Sequence, residues 1–351
     1  MTRRTNDPIS CARILKTMAF LVLALGAVFG GGCTPTPPPG NGNDNGNGND
    51  NGGDAPVWRE AFDTSETGVL SSVWGTGPSE IFAVGGTPEA GEVYRYGGTS
   101  WEAMEVPQVP LLVWVFGFRS DLVYAVGEQG GVIRFDGNTW TALDAGTDED
   151  LWGIWGAAPD DLWIVGGNVG EGVPTLLHFD GQTFAPVPVP ENDRGATSLF
   201  KVWGIGSKVF AVGENGLIIE WTDGAWVQVS AGANADDDFV SLWGTSETHI
   251  VAVGGRSSAR IAVYDGANWQ TELFSGTPGL NAVFMVDPAF AVVGGTNGYV
   301  GLFDPATRQL TDEVSFTNQC IHGIWGDGAG VFYGVGGRFT TPFAGIALVR
   351  R

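Results

Sequence analysis

From residue 57 onward the apolar residues fall into short runs separated by Gly-rich turns, and one of those runs recurs. An apolar stretch ends in Val-Gly at Val84-Gly85, Val126-Gly127, Val165-Gly166, Val212-Gly213, Val253-Gly254, Val293-Gly294 and Val335-Gly336, with spacings of 42, 39, 47, 41, 40 and 42 residues. Such a period matches one four-stranded blade of a β-propeller. The first strand of each unit is an apolar–x–x–apolar–aromatic–Gly run, as in LSSVWG from Leu70, LWGIWG from Leu151, LFKVWG from Leu199, FVSLWG from Phe239 and IHGIWG from Ile321. The second ends in Val-Gly. The third alternates and runs into a turn, as in VIRFDG from Val132 and IAVYDG from Ile261, where Asp-Gly supplies the positive φ of a tight hairpin. The fourth carries an aromatic residue soon afterwards: Trp140, Phe184, Trp226 and Trp269.

Counting fourth strands predicts how the ring closes. The seventh unit ends at AGIALVRR, its third strand, and VWREAFDT (57–64) aligns with the fourth-strand segment TWTALDAG (139–146), so that Trp58 stands where Trp140 stands. An N-terminal strand beside the last blade removes the open sheet edge that a partial ring would leave. The expected fold is all-β: a seven-bladed propeller over residues 57–351, closed by its own N-terminal strand and preceded by a disordered tether.

The Gly pair after the second strand (Gly166-Gly167), the aromatic of the third (Phe179), the Trp of the fourth, and FDPATRQL in blade six together resemble kelch-type propellers. Glu128 and Glu214 replace the second Gly in blades two and four, and the Trp-Gly first strand lies outside the kelch pattern. What the resemblance implies is a fold.

Ahead of the repeats, residues 1–16 carry four basic groups and 17–30 (TMAFLVLALGAVFG) are apolar. As a helix this stretch spans about 21 Å, short of the ~30 Å hydrocarbon core, which suits a cleaved signal segment. Gly30, Gly31 and Gly32 lead into Cys33, a junction that resembles the lipobox of bacterial lipoproteins. The resemblance implies a signal peptide over 1–32, lipidation of Cys33 and an envelope location outside the cytoplasm. A plain small-residue cleavage site would leave Cys33 incidental. The PTPPPGNGNDNGNGNDNGGD stretch that follows cannot bury anything and favours an anchored spacer, so 33–56 is assigned as lipidated cysteine and linker.

Composition narrows the partners. Net charge is −22, and loss of residues 1–32 makes it −25. Such a surface repels phosphate backbones, which argues against nucleic acid. Cys11, Cys33 and Cys320 do not form a disulfide framework. His178, His249 and His322 lie in different blades, and no motif of a nucleophile elbow, phosphate loop or metalloprotease occurs, so no metal or cofactor is expected. The recurring Trp74, Phe116, Trp155, Trp203, Trp243, Phe284 and Trp325 fit packing between blades better than ligand stacking.

Propellers bind at the face carrying the second-to-third and fourth-to-first connections. Two residues after each Val-Gly glycine stand Thr87, Gln129, Asn168, Asn215, Arg256, Thr296 and Arg338, all polar. The starts of first strands add Trp114, Trp152, Phe200, Lys201, Asn281 and His322. Hydrogen-bonding groups around aromatics suit a carbohydrate or peptide, whereas a turn-filling role would need only polarity. Asp148-Glu149-Asp150 and Asp236-Asp237-Asp238 enter the same face and are expected to be solvated loop charge rather than a Ca²⁺ site. The expected function is a monomeric, non-catalytic binding or assembly module at the cell envelope, with a glycan or protein partner. The alternative is an enzyme acting on extracellular polysaccharide, with Glu128 or Glu214 supplying acid and base.

Overall fold

In the computed structural model, which describes residues 56–351, the chain forms seven antiparallel four-stranded sheets. Blade one runs outward through Val69–Gly77, Glu80–Thr87, Ala90–Tyr96 and Trp101–Ala103. The innermost strands of blades two to six are Leu112–Arg119, Leu151–Ala158, Leu199–Ile205, Phe239–Ser246 and Leu280–Asp287. Each packs against the next, and that of blade seven, Cys320–Gly326, packs against blade one, which closes the ring. The signal segment, Cys33 and most of the linker lie outside the described residues.

The closing blade is built as the strand count requires. Its order is Trp58–Glu60, Ala344–Arg350, Phe332–Arg338, Cys320–Gly326 from rim to axis. Trp58 pairs with Arg350 and Glu60 with Leu348, and the Ala61 N–H donates to the Ala347 carbonyl at 2.8 Å. The Trp58 ring is only 2% exposed and packs with Val292, Val300, Ile321 and Phe332 between blades six and seven. Its indole N–H donates to Glu313 at 2.8 Å, the carboxylate that Arg350 also holds.

The recurring aromatic ring is interblade core. An added Cβ on Gly117, Gly204 or Gly244 would lie 2.6–2.8 Å from the indole of Trp74, Trp155 or Trp203, which belongs to the preceding blade. The Trp-Gly pair is therefore a knob on one blade and a hole on the same blade, repeated around the axis. Neighbouring rings meet at tilted angles in sequence, with Trp203–Trp243 centroids at 5.8 Å and Trp243–Phe284 at 4.8 Å.

The Val-Gly signature has a different cause. A Cβ on Gly85, Gly127, Gly166, Gly213, Gly254, Gly295 or Gly336 would fall 1.9–2.3 Å from the carbonyl oxygen of the residue that precedes the core apolar residue of the innermost strand. That close approach accompanies a break in register in all seven blades, where Ser71, Val113, Trp152, Phe200, Val240, Asn281 and His322 are each the extra residue of a β-bulge. Blade six is offset by one from the sequence alignment: Leu280 pairs with Gly295, so Gly294 sits where the other blades have Val. Ile321 and Ile324 of blade seven fill the space that the missing side chain leaves.

Candidate functional site

The seven bulges set the mouth of the central channel, because a bulge re-aims the side chain of its extra residue. Those residues divide the mouth in two. Asn281, His322 and Ser71 form a polar arc on the consecutive blades six, seven and one, while Val113, Trp152, Phe200 and Val240 form an apolar arc on blades two to five. Trp152 and Phe200 meet edge to face at 6.3 Å, and the Trp152 N–H donates to the Gly167 carbonyl at 2.8 Å. Phe339, from the second-to-third connection of blade seven, packs against this apolar pair across the ring. It also covers His322 at 4.6 Å. The His322 Nε2–H donates to the Gly337 carbonyl, 3.2 Å away, and burial lowers the ring's pKa to about 4, so it is neutral at physiological pH.

Trp114 and Lys201 do not share that mouth, although both stand near the starts of their strands. They occupy the position after the bulge and turn into the channel below it. Lys201 is 2% exposed, with Nζ against the face of Trp114. Trp152, Phe200, Asn281 and His322 are all buried, so this inner ring is a plug rather than an open cup.

The outer polar ring is largely committed to holding the turns. Gln129, Asn215 and Asn297 adopt φ of 53°, 54° and 57°, each followed by a positive-φ glycine. Asn297, not Thr296, is therefore the blade-six equivalent of Gln129 and Asn215; Thr296 matches Glu128 and Glu214 and is buried. In each case the residue at the start of the next blade caps the exposed N–H. Asp150 accepts from Gln129 and Asp238 from Asn215, both at 2.9 Å, and the Cys320 sulfur accepts from Asn297. Asp150 and Asp238 are consequently buried parts of the blade junctions, which corrects the expectation that both acidic connections are solvated throughout. Asp148 and Asp236 do remain exposed.

The remaining ring members are similarly placed. Arg256 grips Asp238 with two hydrogen bonds of 2.9 Å, and Arg338 turns back onto the Pro342 carbonyl. The Asn168 side-chain oxygen lies 3.5 Å from the Asp150 N–H, the Asn215 amide donates to the Arg194 carbonyl, and Thr87 ends its strand half-buried. Gln129, Arg256 and Arg338 keep exposed surface. Because Asp238 is buried, Arg256→Ala is expected to lower stability by about 1–3 kcal/mol as well as alter the face. Urea denaturation of the variant beside wild type checks this, and an unchanged midpoint would return Arg256 to a purely surface role.

The suspected catalytic carboxylates are built into the same junctions. Glu214 accepts from both the N–H and the hydroxyl of Thr197 at 2.7 Å. Glu128 is buried near Asp150 and Glu89, and its pKa rises to about 8, chiefly through desolvation and then through those two like charges. His178 pairs with Asp161 at 2.7 Å on the outer part of blade three, remote from either glutamate's turn.

One exposed group on this face carried no sequence signal. Phe316, in the connection from blade six to blade seven, is 78% exposed and has φ of 59°. Positive φ is strained for a bulky residue and persists only when the surroundings fix it. Here the flanks do so: Ser315 donates to the Gly298 carbonyl, and the Thr317 hydroxyl accepts from the Gln319 N–H. Val314 beside it and Val173 on the blade-three connection are also exposed apolar residues of this face.

No family model matches the sequence, and the comparison with curated proteins found no match. Solved structures do match. YCF48 bound to D1 peptide aligns with a TM-score of 0.62 at 15% identity, covering 85% of this chain and 97% of that one. YCF48 from Cyanidioschyzon merolae gives 0.60 at 14%, covering 84% and 98%. The WD40 β-propeller domain of Doa1 gives 0.64 at 10%, covering 84% and 96%. At these identities the likeness shows a shared fold.

Proposed function

We propose that this propeller is a non-catalytic binding module whose face of second-to-third and fourth-to-first connections engages a protein or peptide. The observation that carries the reading is Phe316, an exposed aromatic held at positive φ by anchored neighbours. An exposed aromatic on a fixed backbone supplies contact area with little entropy left to lose, the property of interface anchors. A glycan reading rests on the outer polar ring, and most of that ring is already hydrogen-bonded within the protein. That a similar propeller has been solved with a peptide bound adds support to the protein reading.

The proposal extends to location. The lipobox-like junction at Cys33 and the spacer behind it support a lipid-anchored protein facing outside the cytoplasm, with the kelch-like body held off the membrane. Its acidity, −25 after loss of the leader, favours a partner that is basic or neutral over one that is anionic.

Two measurements test these statements separately. A photo-crosslinking residue placed at Phe316 should trap a discrete protein partner in cells, whereas one placed at Val286 on the opposite face should not. Phe316→Ser should cut partner affinity by about 10- to 30-fold, as loss of an interface aromatic does. Hits on a glycan array that survive Phe316→Ser would favour the carbohydrate reading instead. For the anchor, Cys33→Ser should move the protein from the membrane to the soluble fraction, and identical partitioning would remove it.

A further inference from the structure

Below its mouth the central channel narrows to a cavity of about 20 Å³, walled by the ring aromatics, Ser241 and Lys201. That is room for one water-sized or monatomic particle. Lys201 Nζ is buried there and has no hydrogen-bond partner among the described residues. The lining contains no carboxylate, and Lys201 is its one titratable group among the described residues. Two further buried groups at the mouth, the Ser71 hydroxyl and the Asn281 amide nitrogen, are also without partners, and both can donate. A buried ammonium requires a counter-charge or gives up its proton, and without one burial drives the lysine pKa well down. An unpaired amine in a narrow pocket lined otherwise by apolar side chains and the Ser241 hydroxyl is complementary to a small negative charge.

We infer that the channel is a monatomic-anion site, in which a halide sits beside the Lys201 ammonium against the aromatic wall. The size of the cavity selects the class: carboxylates, phosphate and sulfate exceed it, and the buried plug of Trp152, Phe200 and His322 shields it from larger solutes. The site is independent of the protein-binding reading, since it lies inside the ring and uses none of the exposed residues. Its role is to join blades two and four across the axis, because the lysine reaches from its own blade to Trp114.

The test is thermal unfolding of the body in sodium chloride and in sodium gluconate at matched ionic strength and pH 6, for wild type and Lys201→Met. Methionine keeps the length of the stem and removes the charge. Wild type should melt about 2–4 °C higher in chloride, the shift given by a ligand at several times its Kd. Lys201→Met should show no such difference. Equal melting of wild type in both salts would overturn the proposal and leave Lys201 as a neutral amine on the Trp114 face, while a rise that persists in the variant would assign the effect to the surface. Bromide titration of tryptophan emission covers the case in which the variant fails to fold. Saturable quenching in wild type supports the site, and purely linear quenching overturns it.

Discussion

Trp58→Ala is expected to lower the stability of the propeller by about 3–5 kcal/mol, the range for truncating a core tryptophan. The residue belongs to a strand of only three residues, yet its ring is 2% exposed and fills the junction of blades six and seven. Its indole N–H and the Arg350 guanidinium share the Glu313 carboxylate, so truncation also removes one donor from a half-buried acceptor. Deleting residues 34–54 should change little, since the pairing starts with Val57 and Arg351. Deleting 34–64 should cost at least as much as the point substitution and favour aggregation, because it strips the partner from Ala344–Arg350 and leaves an unpaired edge. Chemical denaturation of the three variants beside the wild-type body decides the matter. If the 34–64 deletion matched the 34–54 deletion, the three-residue strand would contribute nothing to closure.

That closure was legible because it needed only counting: seven first, second and third strands, and six fourth strands after residue 64. The aromatic ring was legible for a similar reason, since a position that is Trp or Phe in every unit has one role in every unit. The mouth of the channel was not. A β-bulge leaves the residue types of a strand unchanged and adds one to the count between two others, so the pattern of LFKVWG does not say that Phe200 and Lys201 part company there. The same blindness displaced Thr296 by one position, because Gly294 stands in blade six where a valine marks the other blades.

The junction chemistry was hidden for a different reason. Asp150 caps a turn centred 21 residues earlier, and Asp238 one 23 residues earlier, each on the neighbouring blade. Read along the chain these are acidic loops; read around the ring they are the acceptors that left-handed turns at Gln129 and Asn215 require. Phe316 escaped notice because nothing in its neighbours' identities marks a positive φ, which non-glycine residues other than Asn and Asp seldom adopt. What the sequence did not carry is therefore contact between blades and backbone conformation, the two things that decide which polar groups are still available to a partner.

Those junctions differ in charge, and the difference has a measurable consequence at Glu128. The blade-four junction places Glu214 on Thr197 and brings Arg256 to Asp238. The blade-two junction instead sets Glu128 near the like charges of Asp150 and Glu89. Burial first, and these like charges second, raise the Glu128 pKa from 4.5 to about 8. The folded protein therefore holds this proton over a range in which the unfolded chain has released it. Stability from Glu128 is fully present below pH 4.5, declines as pH rises, and is lost once pH passes about 8. Across that window the loss amounts to about 3–5 kcal/mol. Glu128→Gln replaces the protonated carboxyl with a neutral amide of the same shape and should be free of the decline. The decisive quantity is the difference in unfolding free energy between the variant and wild type, which cancels the other titrating groups. It should be near zero at pH 4 and grow in favour of the variant by about 3–5 kcal/mol at pH 9. A difference that stays flat from pH 4 to 9 would mean that Glu128 ionises normally, and that a cation or solvent reaches the junction of blades two and three.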